Sequence, residues 1–494
     1  MVHNKMKGAT WDSIFLIVVR LATILTTIIQ TKILSIGLSL HEYGSYSQAL
    51  LVVSVTTSCI MLGLGDGLNY FYNSDLNALG GDGKRTAYVN TIFFLETVLG
   101  IGGALVICFG RNLLANYFGN PDVSILLCIV AVKPVLDNII YLYQLLFISN
   151  QKAKIIAIRN LVISVAKVLA IWVFVQIFSS VRLICVSLVA LDVANWIVFK
   201  LLLSRDQIKV NIARADLHCI NKIVAYSLPM GVYAFTNALL RDVDKIVIGN
   251  MASTADLAIY TNCSKILPFD IVAASFATVL IPFIMRYVSA NEKKGLESLF
   301  ANYMKIGYYT VWTLTAGALI VSGQLVEFLY SPEYLAGKDI FILYLFDSMI
   351  RFASFHLVLT ASGHSRVIMV YSIISLAANL VLNIVLFYLF GMIGPAISTV
   401  LVTAVYTGAI LRKTLVVTGM QITHIFNFRE LMVFVGELVI AAIVFSYFNR
   451  TLLLAGLDRS LTMMIVAALF CGSVLLINAR KICAALKTIN SLRL

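Results

Sequence analysis

Apolar runs of roughly 20 residues recur from one end of this chain to the other, and each is long enough for an α-helix to cross a hydrocarbon core about 30 Å thick. Little chain is left over for a soluble domain. Of 494 residues 60% are hydrophobic and only 12% charged, about half the charge of an ordinary soluble domain. The runs predict about fourteen spans, near 11–35, 42–70, 87–109, 122–148, 154–178, 182–203, 222–250, 256–285, 302–329, 337–361, 366–389, 392–414, 430–449 and 460–478. The expected fold class is therefore an all-α polytopic membrane protein.

The loops orient those spans. With the N-terminus inside, the inner loops and tails collect Lys5, Lys7, Lys84, Arg85, Lys152, Lys154, Arg205, Lys209, Arg214, Lys293, Lys294, Arg412, Lys413, Arg480 and Lys481, among others. The outer loops hold only Arg111, Arg182, Lys338, Arg450 and Arg459. This asymmetry predicts that both termini are cytoplasmic and that the number of spans is even. It also explains most of the +13 net charge without a nucleic-acid partner, since no basic cluster is interleaved with aromatics on a soluble face. Lys5 and Lys7 precede an apolar run longer than a signal peptide's, so the first span is expected to stay. The eight cysteines show no Cys-x-x-Cys spacing and the six histidines are scattered, which predicts neither disulfides nor a metal site.

The chain repeats itself. "TKILSIGLSLHEYGSYSQA" (31–49) aligns with "DKIVIGNMASTADLAIYTNC" (244–263), and "ISNQKAKIIAIRNLVISVAKVLA" (148–170) with "TASGHSRVIMVYSIISLAANLVL" (360–382). The offsets are 213 to 214 and 212, so Lys152 meets His364, Lys154 meets Arg366 and Lys167 meets Asn379. Two matches at nearly one offset point to a duplicated six-span unit. The expected domains are an N-terminal six-helix lobe over 1–203, a basic cytoplasmic linker over 204–221, a C-terminal lobe over 222–415, and two extra helices with a tail over 416–494. Repeats that both start inside are parallel, and such halves commonly bind substrate between them.

Charges inside spans are costly, about 2.5 to 3.5 kcal/mol each on insertion scales, so they should face protein or a wet cavity. Six candidates follow: Arg20, Lys133, Lys167, Arg241, Lys265 and Arg351. "LLRDVDKIVIG" (239–249) concentrates four charges, in which Arg241 with Asp244 and Asp242 with Lys245 are spaced for pairing within one helix. Lys133 with Asp137 and Asp347 with Arg351 repeat that logic; Arg20, Lys167 and Lys265 are expected to be unpaired. Polar stripes at helical spacing (Arg20, Thr23, Thr27, Gln30, Thr31; Tyr226, Tyr233, Asn237, Arg241, Asp244; Ser372, Ser375, Asn379, Asn383) suggest a hydrophilic cavity, although hydrogen bonds between packed helices would produce them too. A cationic chamber implies anionic cargo. Buried acids, Glu96, Asp244 and Asp270 among them, are candidates for proton or sodium coupling; no other cofactor is expected.

"VVRLATILTTIIQTKILSIGLSLHEYGSYSQAL", "MLGLGDGLNYFYN" (61–73) and "YSLPMGVYAFTNALLRDVDKIVIGNMASTADLAIY" resemble the first, second and seventh helices of bacterial polysaccharide repeat-unit flippases of the Wzx type, in the MOP (MATE-like) exporter superfamily. That resemblance implies two six-helix lobes, alternating access, and an undecaprenyl-diphosphate-linked oligosaccharide, such as an O-antigen repeat in lipopolysaccharide biosynthesis, as cargo. It further implies residence in the bacterial inner membrane and other polysaccharide-assembly membrane proteins as partners. The diphosphate would meet some of the six cations. A lipid II flippase and a cation-coupled drug or metabolite antiporter share the pattern. A membrane glycosyltransferase or polymerase, the rival of another class, would need a substantial outer loop with acidic catalytic residues, and no outer loop here exceeds roughly a dozen residues. A non-enzymatic transporter is therefore expected.

Overall fold

The computed structural model of the chain describes residues 2–74, 82–205, 210–265, 267–270, 280–281 and 283–491, with backbone alone for 2–18, 82, 270 and 490. The described residues form helices and turns without a strand. Nine helical stretches among them are long and apolar enough to cross a membrane, or eleven if each of two bent pairs is one span. Residues 271–279 of the expected eighth span lie outside the described residues. The chain divides into two compact units, residues 1–258 and 259–494.

The first unit contains α1 (Val2–Gly37), α2 (Leu40–Met61), α3 (Leu64–Asn73), α4 (Asp82–Tyr117), α5 (Asp122–Val130), α6 (Lys133–Ser149), α7 (Ala153–Phe178), α8 (Val181–Arg205), α9 (Ile220–Met251) and the start of α10 (Thr254–Cys263). The seventh span, α9, packs on α2, α3 and α4, and the segment leading to it is tied down: Asn211 N–H donates to Asn90 and Asp216 N–H to Thr91, at 2.8 and 2.9 Å. The second unit continues with α11 (Lys293–Gly307), α12 (Thr313–Ile320), α13 (Ser322–Leu329), α14 (Lys338–Arg351), α15 (His356–Ala361), α16 (Ser365–Phe390), α17 (Gly394–Thr418), α18 (Phe428–Leu454) and α19 (Arg459–Ser491).

The duplication is visible in the backbone. α7 and α16 each run 26 residues, α8 and α17 each 25. α7 and α16 are preceded by a residue with positive φ, Gln151 at 60° and Gly363 at 77°, and followed by another, Ser179 at 42° and Gly391 at 63°. These are the same register positions at the 212-residue offset. The turns before α2 and α10 also match. Ser39 and Glu42 form a reciprocal capping box, and Ser253 and Asp256 repeat it, with Ser253 N–H donating to the carboxylate at 3.2 Å and Asp256 N–H to the serine hydroxyl at 3.1 Å.

The first unit buries two apolar clusters. One gathers Leu34, Tyr43, Val53, Ile107, Ala131, Ile171, Ile184 and Leu188 with their neighbours; the other gathers Leu64, Phe71, Phe93, Leu136, Ile156 and Phe199 with theirs. Between or beside the stretches that these helices give to the two clusters lie polar residues, among them Thr57 in α2, Glu96 in α4, Lys133 in α6, Lys167 in α7 and Asp192 in α8. A belt of polar groups thus divides the apolar interior, and each member needs a partner within the protein.

Candidate substrate cavity

A cavity of about 460 Å³ opens at this belt, lined by Thr57, Ser58, Met61, Gly63, Gly65, Asp66, Asp137, Asn138, Tyr141, Ala234, Ala238 and Arg241. It exists because the second span breaks. α2 and α3 meet at a 40° bend where Leu62 and Gly63 both adopt left-handed backbone, φ 42° and 72°. Such a conformation suits Gly63 and strains Leu62. α9 crosses the break almost backbone to backbone: a Cβ on Gly63 would stand 2.3 Å from the Ser227 carbonyl oxygen, and one on Gly231 2.3 Å from the Leu62 carbonyl carbon. A break in a hydrophobic segment leaves helix-end backbone groups without intrahelical partners, which is tolerated where the segment lines a cavity.

Arg241 brings positive charge to the cavity wall. Its guanidinium makes no ion pair among the described residues. The other charges of its cluster are engaged: Lys245 Nζ pairs with Asp242 at 2.9 Å, Asp242 accepts the Ser54 hydroxyl at 2.9 Å, and Asp244 is buried with the Lys245 N–H donating to it at 2.8 Å. Lys245 and Asp242 therefore fix α9 against α2 and leave Arg241 on the wall. Asp66 and Asp137 share that wall, so its charge is mixed rather than wholly cationic.

The other expected cations are held elsewhere. Lys133 and Lys167 converge on the buried Asp192, at 2.5 and 2.7 Å, and Lys133 also lies 3.5 Å from Asp137. Lys167 is thus paired, contrary to the expectation from sequence. The reason is tertiary: its partner lies 25 residues away on α8. Lys265 is also engaged, donating to Asn262 Oδ1 at 2.8 Å. Arg351 pairs with the fully buried Asp347 at 2.7 Å, and Arg20 is exposed on α1. Among the expected coupling acids, Glu96 is fully buried; the side chain of Asp270 lies outside the described residues.

The polar stripes serve packing more than the cavity. Gln30 donates to the Ser164 carbonyl of α7 at 3.1 Å, while Thr23 and Thr27 bond back into α1. Ser372, Ser375, Asn379 and Asn383 are buried, with Asn383 donating to Asn379 at 2.8 Å and Ser398 of α17 to the Asn379 carbonyl at 3.3 Å. Only the α9 stripe reaches the cavity, through Arg241; its Tyr226 stacks on Tyr70 at 4.2 Å. Sequence reasoning missed Asp66, Asn138, Thr57 and Tyr141 as wall residues. The signal for Asp66 was "GLGDG", a glycine-rich interruption inside a span; nothing in the sequence marks the other three. In the second unit a pocket of about 420 Å³ is lined by Lys305, His424, Phe426 and Asn427 among others, its charges matched internally by Lys305–Glu430 at 2.7 Å and His424–Glu297 at 2.9 Å.

The fold is thus all-α, with many apolar helices, two bent pairs among them, and a cavity beside buried polar groups. That fold is shared with a structure described as lipid II flippase MurJ in an inward closed conformation, at TM-score 0.72 and 13% identity over 95% of this chain and 99% of that one. It is shared also with an inward-facing multidrug resistance MATE family transporter of the MOP superfamily, at TM-score 0.65 and 12% identity over 80% and 94%. The family described as polysaccharide biosynthesis protein matches residues 33–338; the chain belongs to that family. A curated relative from Haloferax volcanii, "Probable low-salt glycan biosynthesis flippase Agl15", is 22% identical over 169 residues, 33% of this chain and 35% of that protein. The match thus spans about a third of that relative's length.

Proposed function

We propose that this protein is a flippase that carries a lipid-linked oligosaccharide across a membrane, diphosphate and sugar through its polar interior and polyprenyl tail in lipid. The cargo is an undecaprenyl-diphosphate-linked repeat unit of a surface polysaccharide such as O-antigen, moved from the cytoplasmic to the periplasmic leaflet of a bacterial inner membrane by alternating access. Both termini are cytoplasmic, as the loop charges favour. Family membership supports a role in polysaccharide biosynthesis. The observation that carries the reading is Arg241, a cation without an ion-pair partner among the described residues, on the wall of a cavity at the polar belt.

The physics favours that assignment. Taking a diphosphate through bare hydrocarbon costs on the order of tens of kcal/mol; an arginine in a wet cavity removes much of that and can bind phosphate oxygens two at a time. Asp66 and Asp137 keep the site from holding the anion too tightly, since like charges weaken it. Tyr141 offers a flat apolar face to a sugar ring.

The test is genetic. A strain lacking the gene is complemented with wild type, Arg241→Ala or Arg241→Lys, and surface polymer and the leaflet of the lipid-linked repeat are scored. Loss of one desolvated phosphate contact should lower export on the order of 10² to 10³-fold for Arg241→Ala, with partial rescue by lysine. Normal surface polymer without the gene would overturn the reading, and accumulation of lipid II instead would redirect it to that cargo.

A further inference from the structure

Two charges on the wall of the first unit's cavity make no ion pair among the described residues, and they have opposite sign. Arg241 is one. Asp66 is the other: its carboxylate is exposed and accepts no hydrogen bond among the described residues, whereas Asp137 faces Lys133 at 3.5 Å. Asp66 and Arg241 do not neutralise each other because they stand at different levels. A Cβ on Gly67, next to Asp66, would lie 2.3 Å from Ser227 Oγ, and Ser227 precedes Arg241 by 14 residues on α9, about 21 Å along the helix axis.

Around Asp66 the chain gathers aromatic rings. The glycines on either side of it let neighbouring helices close in, since a Cβ on Gly65 would stand 2.7 Å from Tyr141 Cε1. Tyr70 follows Asp66 by one turn of α3 and so shares its face; its ring stacks on Tyr226 of α9 at 4.2 Å and 19°. The Asp66 carboxylate lies within electrostatic reach of the Tyr141 and Tyr226 hydroxyls. Packing does not consume these rings: Tyr70, Tyr141 and Tyr226 keep 49, 44 and 38% of their surface exposed. Open aromatic faces beside an unpaired carboxylate suit a ligand that has both an apolar face and hydroxyl or amine donors.

We propose that Asp66, with Tyr141 and the Tyr70–Tyr226 stack, is a carbohydrate subsite that selects by charge: it takes neutral and amino sugars and rejects acidic ones. A pyranose ring presents C–H groups on its faces and hydroxyls around its rim. Tyrosine rings cover the faces, and a carboxylate, which only accepts, takes hydroxyl or ammonium donors from the rim. A uronate sets its own negative charge against Asp66, with Asp137 on the same wall, and like charges oppose its binding. The two unpaired charges then read an extended cargo at two points, its phosphate at Arg241 and a sugar beside the α2–α3 break. Selectivity for the sugar's charge therefore lies in "GLGDG" rather than in the cations. That a sugar enters this cavity at all rests on the flippase reading.

The test uses the full-length chain, purified and reconstituted in lipid nanodiscs, with three soluble disaccharides on similar scaffolds: methyl chitobioside, which carries amines, methyl N,N′-diacetylchitobioside, which is neutral, and methyl cellobiouronide, which is acidic. Binding is followed by saturation-transfer NMR, which also reports sugar ring protons lying against aromatic side chains. The wild type should bind the amino and neutral probes on the order of tenfold more tightly than the acidic one, the size of one hydrogen bond to a charged group. Asp66→Asn should bind the neutral and acidic probes alike. Tyr226→Ala should weaken all three and Tyr226→Phe, which keeps the ring, should restore them. Should Asp66→Asn not purify as a monodisperse protein, Asp66→Ser takes its place with the same expectation. No saturation transfer to any of the disaccharides, or a ranking by charge that survives the loss of the carboxylate, would overturn the proposal. Inorganic pyrophosphate, followed by phosphorus NMR on wild type and Arg241→Ala, reports the phosphate contact separately. Pyrophosphate binding that needs Arg241, without any ranking of the sugars, would sink the subsite and leave the flippase reading standing; a ranking without pyrophosphate binding would uphold the subsite and remove Arg241 from that reading.

Discussion

α7 and α16 have the same length, the same left-handed residues at both ends and the same kind of partner helix, yet their interiors differ in charge. In the first, Lys167 reaches Asp192, which also holds Lys133. In the second, the position matching Lys167 is Asn379, hydrogen-bonded to Asn383 one turn on, and the position matching Asp192 at the same offset is Ala404, which is exposed. One backbone frame thus carries an ionic bridge among three helices in one unit and a neutral amide pair in the other. The frame is set by turn chemistry and helix length; the interior is free to diverge, provided each buried polar group finds a partner. The ionic version is the one adjoining a cavity, through Asp137, which faces Lys133 at 3.5 Å and lines the wall.

That contrast predicts unequal costs. Asp192→Ala leaves two lysines without their carboxylate inside the unit and should destabilise it by about 3–5 kcal/mol, read as a large drop in thermal midpoint in detergent. If the loss were as small as that of a neutral pair, the bridge would be wet and the contrast would fail. Asn383→Leu removes one amide of the neutral pair and should cost about 0.6 kcal/mol, with roughly 1.7 as the ceiling, measured in the same assay. The smallest effects should come from the equivalent caps: Ser39→Ala and Ser253→Ala should each cost about 0.5 kcal/mol, the low end for a cap, at their exposed turns. Near-equal values there would sharpen the claim that the duplicated frame is energetically as well as geometrically repeated.

Much of this was legible in the sequence. The 20-residue apolar runs gave the helical membrane class, and the 212 to 214 offset marked positions where the two halves share caps and left-handed residues. The pairs Lys133–Asp137, Asp242–Lys245 and Asp347–Arg351 were readable because both partners lie on one helix turn. What could not be read was contact between helices. Asp192 joins residues from α6 and α7, 59 positions and 25 positions away, and no spacing rule announces that. Nor does composition say that Arg241 would line a wall while Lys245, four residues on, would not: the difference arises because Ser54 and Asp242 fix the face that α9 turns to α2. The break at Leu62–Gly63 was signalled by its glycines, but the cavity behind it needed α9 to cross at Gly231.

The central claim is that this chain moves a lipid-linked glycan. The most direct measurement reconstitutes the purified chain into liposomes carrying an undecaprenyl-diphosphate oligosaccharide in both leaflets, and follows how fast the inner-leaflet sugar becomes accessible to a membrane-impermeant glycosidase. The account predicts that nearly all of the sugar is cleaved with wild type, and that with Arg241→Ala only the outer-leaflet half is cleaved over the same time. Cleavage that stops at the outer leaflet with wild type, under conditions where the protein is folded and inserted, would contradict it.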